Sequence, residues 1–362
     1  MQIKKKLNNP NKLYIFFYTS VLFIIIIFST SSRANTFKVS DLEISVPFDL
    51  SFNKEKVIDK GFLQAFDELI SMITTSSDKN KVENTKLTKI KNLIDSFTMS
   101  DERFIDNVYL VKFDVNFNKK NTLIFFQKNN IFPSIPKKKD LLLIPIIVDL
   151  QKDEILMFNN NHFYKNWNKQ NQRYYLLNYL LPNEDLEDLE DLNLIYKNNQ
   201  SIEKYNFKKL INKYDINDYI VIIIYKNRET LKILSKINLN NSIKIDNKKF
   251  DNINLSNQNE FDHVLHELKT SYENYWKNIN QINTSIKLPI TISIKTKENK
   301  KIKNLEETLD RLDLVSKYEI IKFDNKKTYI KIIYNGSPAK FFDEMINENF
   351  TIIKENLFWE IQ

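Results

Sequence analysis

ITISIKTKENKKIKNLEETLDRLDLVSKYEIIKFDNKKTYIKIIYNGSPAKFFDEMINENFTII, residues Ile290 to Ile353, is the stretch on which the fold class turns. Ile290, Ile292 and Ile294 alternate, the period of a strand with one buried face. Ile302, Leu305, Leu309 and Leu312 then follow helical spacing. Tyr318 to Phe323 and Thr328 to Tyr334 make a hairpin across Asp324–Lys327. Asn335-Gly336 turns the chain, with positive φ expected at the glycine. Ser337 is a good helix cap and Pro338 a good first helical residue. A helix through Phe341, Met345 and Ile346 leads to a strand from Phe350 to Ile353, with a further strand to Ile361. The order β-α-β-β-α-β is the split βαβ of ferredoxin-like folds, a scaffold that specifies no function. It assigns residues 284–362 to a C-terminal domain.

Working back, residues 141–283 read as a middle α/β domain. LLLIPIIVDL, Leu141 to Leu150, and YIVIIIY, Tyr219 to Tyr225, are apolar without interruption, as strands covered on both faces are. Thr230 to Ile237 pairs with the second, a helix covers Ile202 to Tyr214, and a long helix runs from Asn259 to Ile282. Residues 133–140, with Pro133, Pro136 and Lys137–Lys139, read as a linker. Residues 35–132 form the first domain. Leu42, Ile44, Val46, Phe48, Leu50 and Phe52 alternate, and Pro47 places their strand at a sheet edge. Helices are expected from Val57 to Ile73, from Leu87 to Phe97 and over Leu123 to Gln127. A strand carries Tyr109, Val111, Phe113, Val115 and Phe117, with a hairpin near Arg103. The expected class is α+β: three small sheet-and-helix domains, the last ferredoxin-like.

Composition removes much chemistry. In 362 residues there is no Cys, with two Gly and three His. Thiolate nucleophiles, disulfides and Cys-type zinc sites are excluded. Gly61 and Gly336 cannot build a glycine-rich phosphate loop. The net charge of +8 is concentrated at the start: Lys4, Lys5, Lys6, Lys12 and Arg33 face no acidic residue in the first 34 positions. The remainder is nearly balanced, and only five of the basic residues are Arg, the usual bidentate reader of phosphate. No nucleic-acid partner is expected.

Residues 1–34 have the three parts of an export signal. The basic n-region precedes an apolar run, residues 13–28 (LYIFFYTSVLFIIIIF). Ser32-Arg33-Ala34 then supplies a small-x-small cleavage site before Asn35. Cleavage near Ala34 would leave a periplasmic or secreted protein. Retention of residues 13–28 as an inner-membrane anchor is the alternative. The absence of Cys suits an oxidising compartment.

Two clusters and one lone histidine are candidate sites. His263, His266 and Glu267 share a helix, but Phe261, Leu265, Leu268, Tyr272, Tyr275 and Ile279 define its apolar stripe, and both imidazoles lie opposite. They read as a solvated face. His162 is isolated. The thrice-repeated Glu-Asp-Leu of Glu184–Leu192 lacks the Gly and Asn spacing of a calcium loop. Leu186, Leu189, Leu192 and Ile195 suggest a helix with one buried edge. No catalytic, cofactor-binding or metal-ligating residue is assigned, and no cofactor is expected.

FLQAFDELISMIT (Phe62 to Thr74) before NVYLVKFDVNFN (Asn107 to Asn118) begins a wider pattern. LLLIPIIVDL with Trp167 and Pro182–Asp188, then IIYNGSPAKFFDEM (Ile332 to Met345) with Trp359, complete it. This pattern resembles the bacterial domain-of-unknown-function family 2066 of exported proteins, departing from it at Asn183-Glu184, where a glycine is expected. The resemblance implies export and brings no activity or site residues. In element order the middle domain is similar to the α/β domain of TolB-like envelope proteins. The expected function is non-enzymatic: an interaction or assembly protein of the cell envelope, partnered by another envelope protein. A periplasmic hydrolase with a carboxylate or Ser site, or a membrane-anchored scaffold, are the alternatives. N-terminal sequencing of the exported protein should begin at Asn35; an intact Met1 in the membrane fraction would favour the anchor.

Overall fold

In the computed structural model, residues 37–169, 171–197, 201–282, 287–312, 314–354 and 359–361 are described. Residues 1–34, read as an export signal, lie outside them. No described helix is long and apolar enough to cross a membrane.

The N-terminal sheet holds β1 (Lys38–Pro47), β2 (Ile94–Ile105) and β3 (Val108–Phe117) in the order β1-β3-β2, all antiparallel. Between β1 and β2 lie α1 (Lys54–Ile73), α2 (Ser76–Lys79) and α3 (Leu87–Lys91); α4 (Lys119–Lys128) follows β3. Asn53 caps α1 by accepting from the Glu55 and Lys56 amides. Its apolar face, including Phe62, Phe66, Leu69 and Ile70, shares a core with Tyr109, Val111, Phe113, Val115 and Phe117 of β3. The helix expected through Phe97 stops at Lys91. Asp95, Ser96 and Thr98 are weak helix formers, and this segment pairs with β3 instead, Phe97 opposite Val115. Phe48 and Leu50 prolong the alternation of β1 in sequence but are exposed, because the ladder ends at Pro47, which has no N–H. The β2–β3 hairpin turns at Asp106-Asn107, both with positive φ, as a two-residue turn of this hand requires.

The middle sheet is built on β4 (Lys139–Asp149), flanked by β5 (Glu154–Leu156), α5 (His162–Asn166), β6 (Leu177–Leu180), α6 (Leu186–Lys197) and α7 (Lys208–Asn212). Then come β7 (Tyr219–Asn227), β8 (Thr230–Leu239), β9 (Ser242–Phe250) and α8 (Gln258–Ile279). The order is β5-β4-β7-β8-β9, with β6 beside β4. β4 runs parallel to β6 and β7; the other pairs are antiparallel. Leu141, Leu143 and Ile147 face α8, while Leu142, Ile144, Ile146 and Val148 meet Leu192, Leu210 and Ile211 on the opposite side. Burial on both faces is why β4 tolerates almost no polar side chain. The helix expected over Ile202 to Tyr214 is broken into a 3-10 turn, Ile202–Lys204, and α7. Asn206 intervenes, its carboxamide oxygen accepting from the Lys208 amide.

The C-terminal sheet comprises β10 (Leu288–Lys295), β11 (Val315–Phe323), β12 (Lys327–Tyr334), β13 (Ile352–Lys354) and β14 (Trp359–Ile361), with helices α9 (Asn299–Arg311) and α10 (Pro338–Asn347). Its order is β11-β12-β10-β14-β13. The first three strands are arranged as a split βαβ requires. β14 then lies parallel to β10, Trp359 opposite Ile292, and displaces β13 outward. The Trp359 ring packs 5.8 Å from Phe341 and 6.3 Å from Phe342, so apolar contact with α10 accompanies this central position. The fold class is α+β as read, with a fifth strand beyond the β-α-β-β-α-β core.

Ser337 caps α10, its hydroxyl accepting from the Lys340 amide. Gly336 departs from expectation: its φ is not positive. A Cβ there would meet Tyr334 Cε1 at 2.7 Å, so its small size, not backbone freedom, is what the site uses. Gly61 is similar, with a built Cβ 2.9 Å from Phe113 Cε1.

The N- and C-terminal sheets share one continuous core, whereas the middle sheet has its own two. The segment read as a linker is fastened at its start. Ser134 N donates to Ile73 O at 2.6 Å, Ile135 N to Asn280 O at 3.0 Å, and Ile282 N to Pro133 O at 2.7 Å. Because the rings facing both glycines are fully buried and cannot swing away, Gly61→Ala and Gly336→Ala should each lower stability by about 1–3 kcal/mol through overpacking, measured by urea unfolding.

Candidate functional site

Helix α8 carries Lys269, Glu273 and Lys277 four residues apart, which places them on one stripe. All three are buried, at 2%, 2% and 6% exposure. Glu273 accepts from the Leu176 amide at 3.0 and 3.1 Å and from the Leu177 amide at 2.8 Å, fixing the start of β6. Lys277 Nζ donates to Ser71 O of α1 at 2.5 Å. Lys269 Nζ lies over three rings, 5.9 Å from Trp167, 5.6 Å from Tyr175 and 5.8 Å from Tyr179, an arrangement that favours the cation. Burial pushes both lysines down to about 8, against the pull of Glu273. Burial likewise raises Glu273, opposed by the two amides and the flanking ammonium groups. The stack resembles an activated lysine in its electrostatics, but side chains fill the space around it. Its geometry is that of a brace joining α8, β6 and α1.

A cleft of about 560 Å³ lies between α4 and the β11 end of the C-terminal sheet. Lys119, Lys120, Lys287 and Lys317 line it against a single carboxylate, Asp310. Lys119 Nζ donates to the Leu312 carbonyl, and the Ser316 hydroxyl donates to Ile333 O at 3.1 Å. No histidine lines the cleft. The Ser316 hydroxyl is thus bonded to a main-chain carbonyl and not to a side-chain base. Asn335 also lines the cleft, and its Oδ1 is buried without a hydrogen-bond partner among the described residues.

The sheet borders differ from these interiors. Phe104 is 60% exposed on β2, Ile243 78% and Ile245 61% on β9, and Phe323 69% on β11. Each of these strands ends a sheet. Apolar side chains beside free strand edges form surfaces suited to another chain rather than to a small substrate.

His263 and His266 are exposed on α8, opposite the apolar stripe, and His162 starts α5. No group of three or more metal-ligating side chains occurs among the described residues. The acidic repeat forms α6 and spends its charge internally: Lys213 Nζ bonds Asp185 at 2.7 Å and buried Asp188 at 2.9 Å, and Lys209 reaches Glu187 at 2.6 Å. Trp167 is fully buried, packed 5.4 Å from Tyr179. Sequence reading missed the α8 brace. At helical spacing Lys269, Glu273 and Lys277 fall beside the apolar stripe and beyond it, so periodicity carries no signal of their burial. No protein-family model matches the chain, and no curated protein matches it significantly.

Glu273→Ala should cost about 3–5 kcal/mol, since it strips two buried ammonium groups of their counter-charge and two amides of their acceptor. The pH dependence has a defined sign. Lys269 and Lys277 are depressed from 10.5 to about 8 in the fold, so from pH 8 upward the unfolded chain binds more protons and these groups make unfolding free energy rise. Urea titrations at successive pH values in that window should show the rise, and Lys269→Met/Lys277→Met should flatten it.

Proposed function

We propose that the chain is an exported, non-enzymatic interaction or assembly protein of the bacterial cell envelope, meeting its partner through sheet edges. The observation that carries this reading is the placement of exposed apolar side chains on strands that end sheets: Phe97, Phe104 and Ile105 on β2, Ile243 and Ile245 on β9, Ile320, Ile321 and Phe323 on β11. Burying such groups against a second chain would return the free energy that exposure withholds, about 25 cal/mol per Å² of apolar area. The basic, apolar and small-residue succession of residues 1–34 supports export. The resemblance to the exported family 2066 points the same way.

The test is photo-cross-linking in a bacterium that exports the protein. A photoreactive residue at Phe104, Ile245 or Phe323 should capture a defined envelope protein from at least one edge, whereas the same residue at exposed Lys303 on α9 should not. Capture that is equal at Lys303, or absent from every edge, would remove the reading.

A further inference from the structure

The sheet edges are not equivalent. β1 is bulged between Val39 and Leu42, β2 at two places, and β11 at two places. β5, β6 and β13 are only three or four residues long. Bulges and brevity are the ordinary protections of an edge against pairing. β9 has neither. It extends nine residues and matches β8 in nine successive pairs without a shift, from Leu231 opposite Phe250 to Leu239 opposite Ser242.

The register of β8 and β9 defines what an added strand would meet. On the face away from α8, Asn238, Lys236, Leu234 and Lys232 of β8 stand opposite Ile243, Ile245, Asn247 and Lys249 of β9. Helices α6 and α7 cover β4 and β7 on this side, leaving Ile243 and Ile245 bare beside a shallow groove of about 280 Å³ that reaches Phe207 and Tyr219. Lys232 and Lys249 are directly opposite one another, an unfavourable like-charge pair that Asp251 relieves, bonded to Lys249 at 2.8 Å. Exposed Lys208 adds to the positive rim, and Glu203 is engaged by the Tyr225 hydroxyl at 3.0 Å and, through its carbonyl, by Lys236. On the α8 side, Lys244 and Lys248 flank the same edge, Lys244 facing Tyr275 and Asp246 and Lys248 facing Glu267, with Asp246 itself between them on β9 and bonded by the Ser271 hydroxyl at 3.2 Å.

We propose that β9 is a docking edge for an extended acidic peptide segment of a partner protein, which adds a strand antiparallel to β9. Main-chain hydrogen bonds to the free edge would supply affinity, and alternate side chains would supply selectivity. Apolar residues sit over Ile243 and Ile245, and carboxylates face Lys244, Lys248 and Lys249. The lysines that discourage pairing with a basic or identical edge become the recognition element for an acidic one. This rests on the reading of the chain as an interaction protein.

The register gives the probe: a fluorescein-labelled peptide Glu-Glu-Gln-Thr-Val-Glu-Val, its first residue opposite Lys249, titrated against the full chain by fluorescence anisotropy. Binding should weaken with added salt, and the lysine counterpart Lys-Lys-Gln-Thr-Val-Lys-Val should bind at least about tenfold more weakly. Ile245→Asp lies on an exposed position and should keep the far-ultraviolet spectrum and melting temperature while losing the peptide. Lys232→Glu/Lys249→Glu should narrow or invert the preference between the two peptides. Equal binding of both peptides, unchanged binding by Ile245→Asp, or self-association of the chain that Ile245→Asp abolishes would each overturn the assignment. Cross-links from Phe104 or Phe323 without any from Ile245 would overturn it too, yet leave the broader interaction reading standing.

Discussion

Glu273 takes three amide contacts from Leu176 and Leu177 and stands between two buried lysines on its own helix. Those amides open β6, and β6 lies beside β4, so the carboxylate fixes one side of the strand on which the whole middle sheet is built. Lys277 extends the same stripe to Ser71 and ties the sheet's helix to α1. Buried charges are costly to desolvate, and an apolar stripe would cover β4 as well. What the charges add is direction: an ammonium and a carboxylate accept only partners of the right polarity at the right place. The stripe therefore sets how the middle sheet meets the N-terminal helix, a relation that apolar packing alone would leave free to slide.

The surroundings of that brace account for the absence of obvious chemistry. Tyr175, Tyr179 and Trp167 close over Lys269 and leave its ammonium facing aromatic rings. The open cleft beside α4 has room, but its serine is already bonded to a main-chain carbonyl. The cleft does hold a perturbed group, Tyr318, which burial and neighbouring Asp310 push up to about 12. The surfaces that stand out among the described residues are strand edges carrying isoleucine and phenylalanine.

The fold was legible wherever one physical demand ruled a segment. Uninterrupted isoleucine and leucine marked β4 and β7, since two covered faces leave no polar option. Alternation marked β3 and β10, and Ser337-Pro338 marked the start of α10. Reading failed where demands compete. Residues 94–97 lost their helical appearance to pairing with β3. β9 escaped notice because an edge strand exposed on one face mixes isoleucine with lysine and aspartate and shows no clean alternation. Lys269, Glu273 and Lys277 of α8 drew no reading, because charged side chains outside an apolar stripe ordinarily face solvent, a rule that fails when oppositely charged groups compensate one another inside. Gly336 was read as a backbone device, whereas the Tyr334 ring decides it, and no local pattern announces a ring contributed from two residues back. Nothing in residues 359–361 signals insertion of a strand between β10 and β13, because position within a sheet is set by long-range partners.

The two ends of the middle sheet's segment meet. Pro133, Ser134 and Ile135 bond directly to Asn280, Gln281 and Ile282, while the sequence before and after them contributes to one shared core. Topologically, the middle sheet is a guest threaded into a host that closes around its stem. A host of this design keeps its own packing whatever the guest becomes, since entry and exit occupy neighbouring points and a short bridge could span them. The guest, anchored at that stem and braced at Ser71, is free to vary at its far border. There, replacement, enlargement or loss of surface strands would reach the host through the stem, through Ser71, through the Asn274–Ser76 pair and through the contacts of Arg173 with Ser40, Asp41 and Glu68.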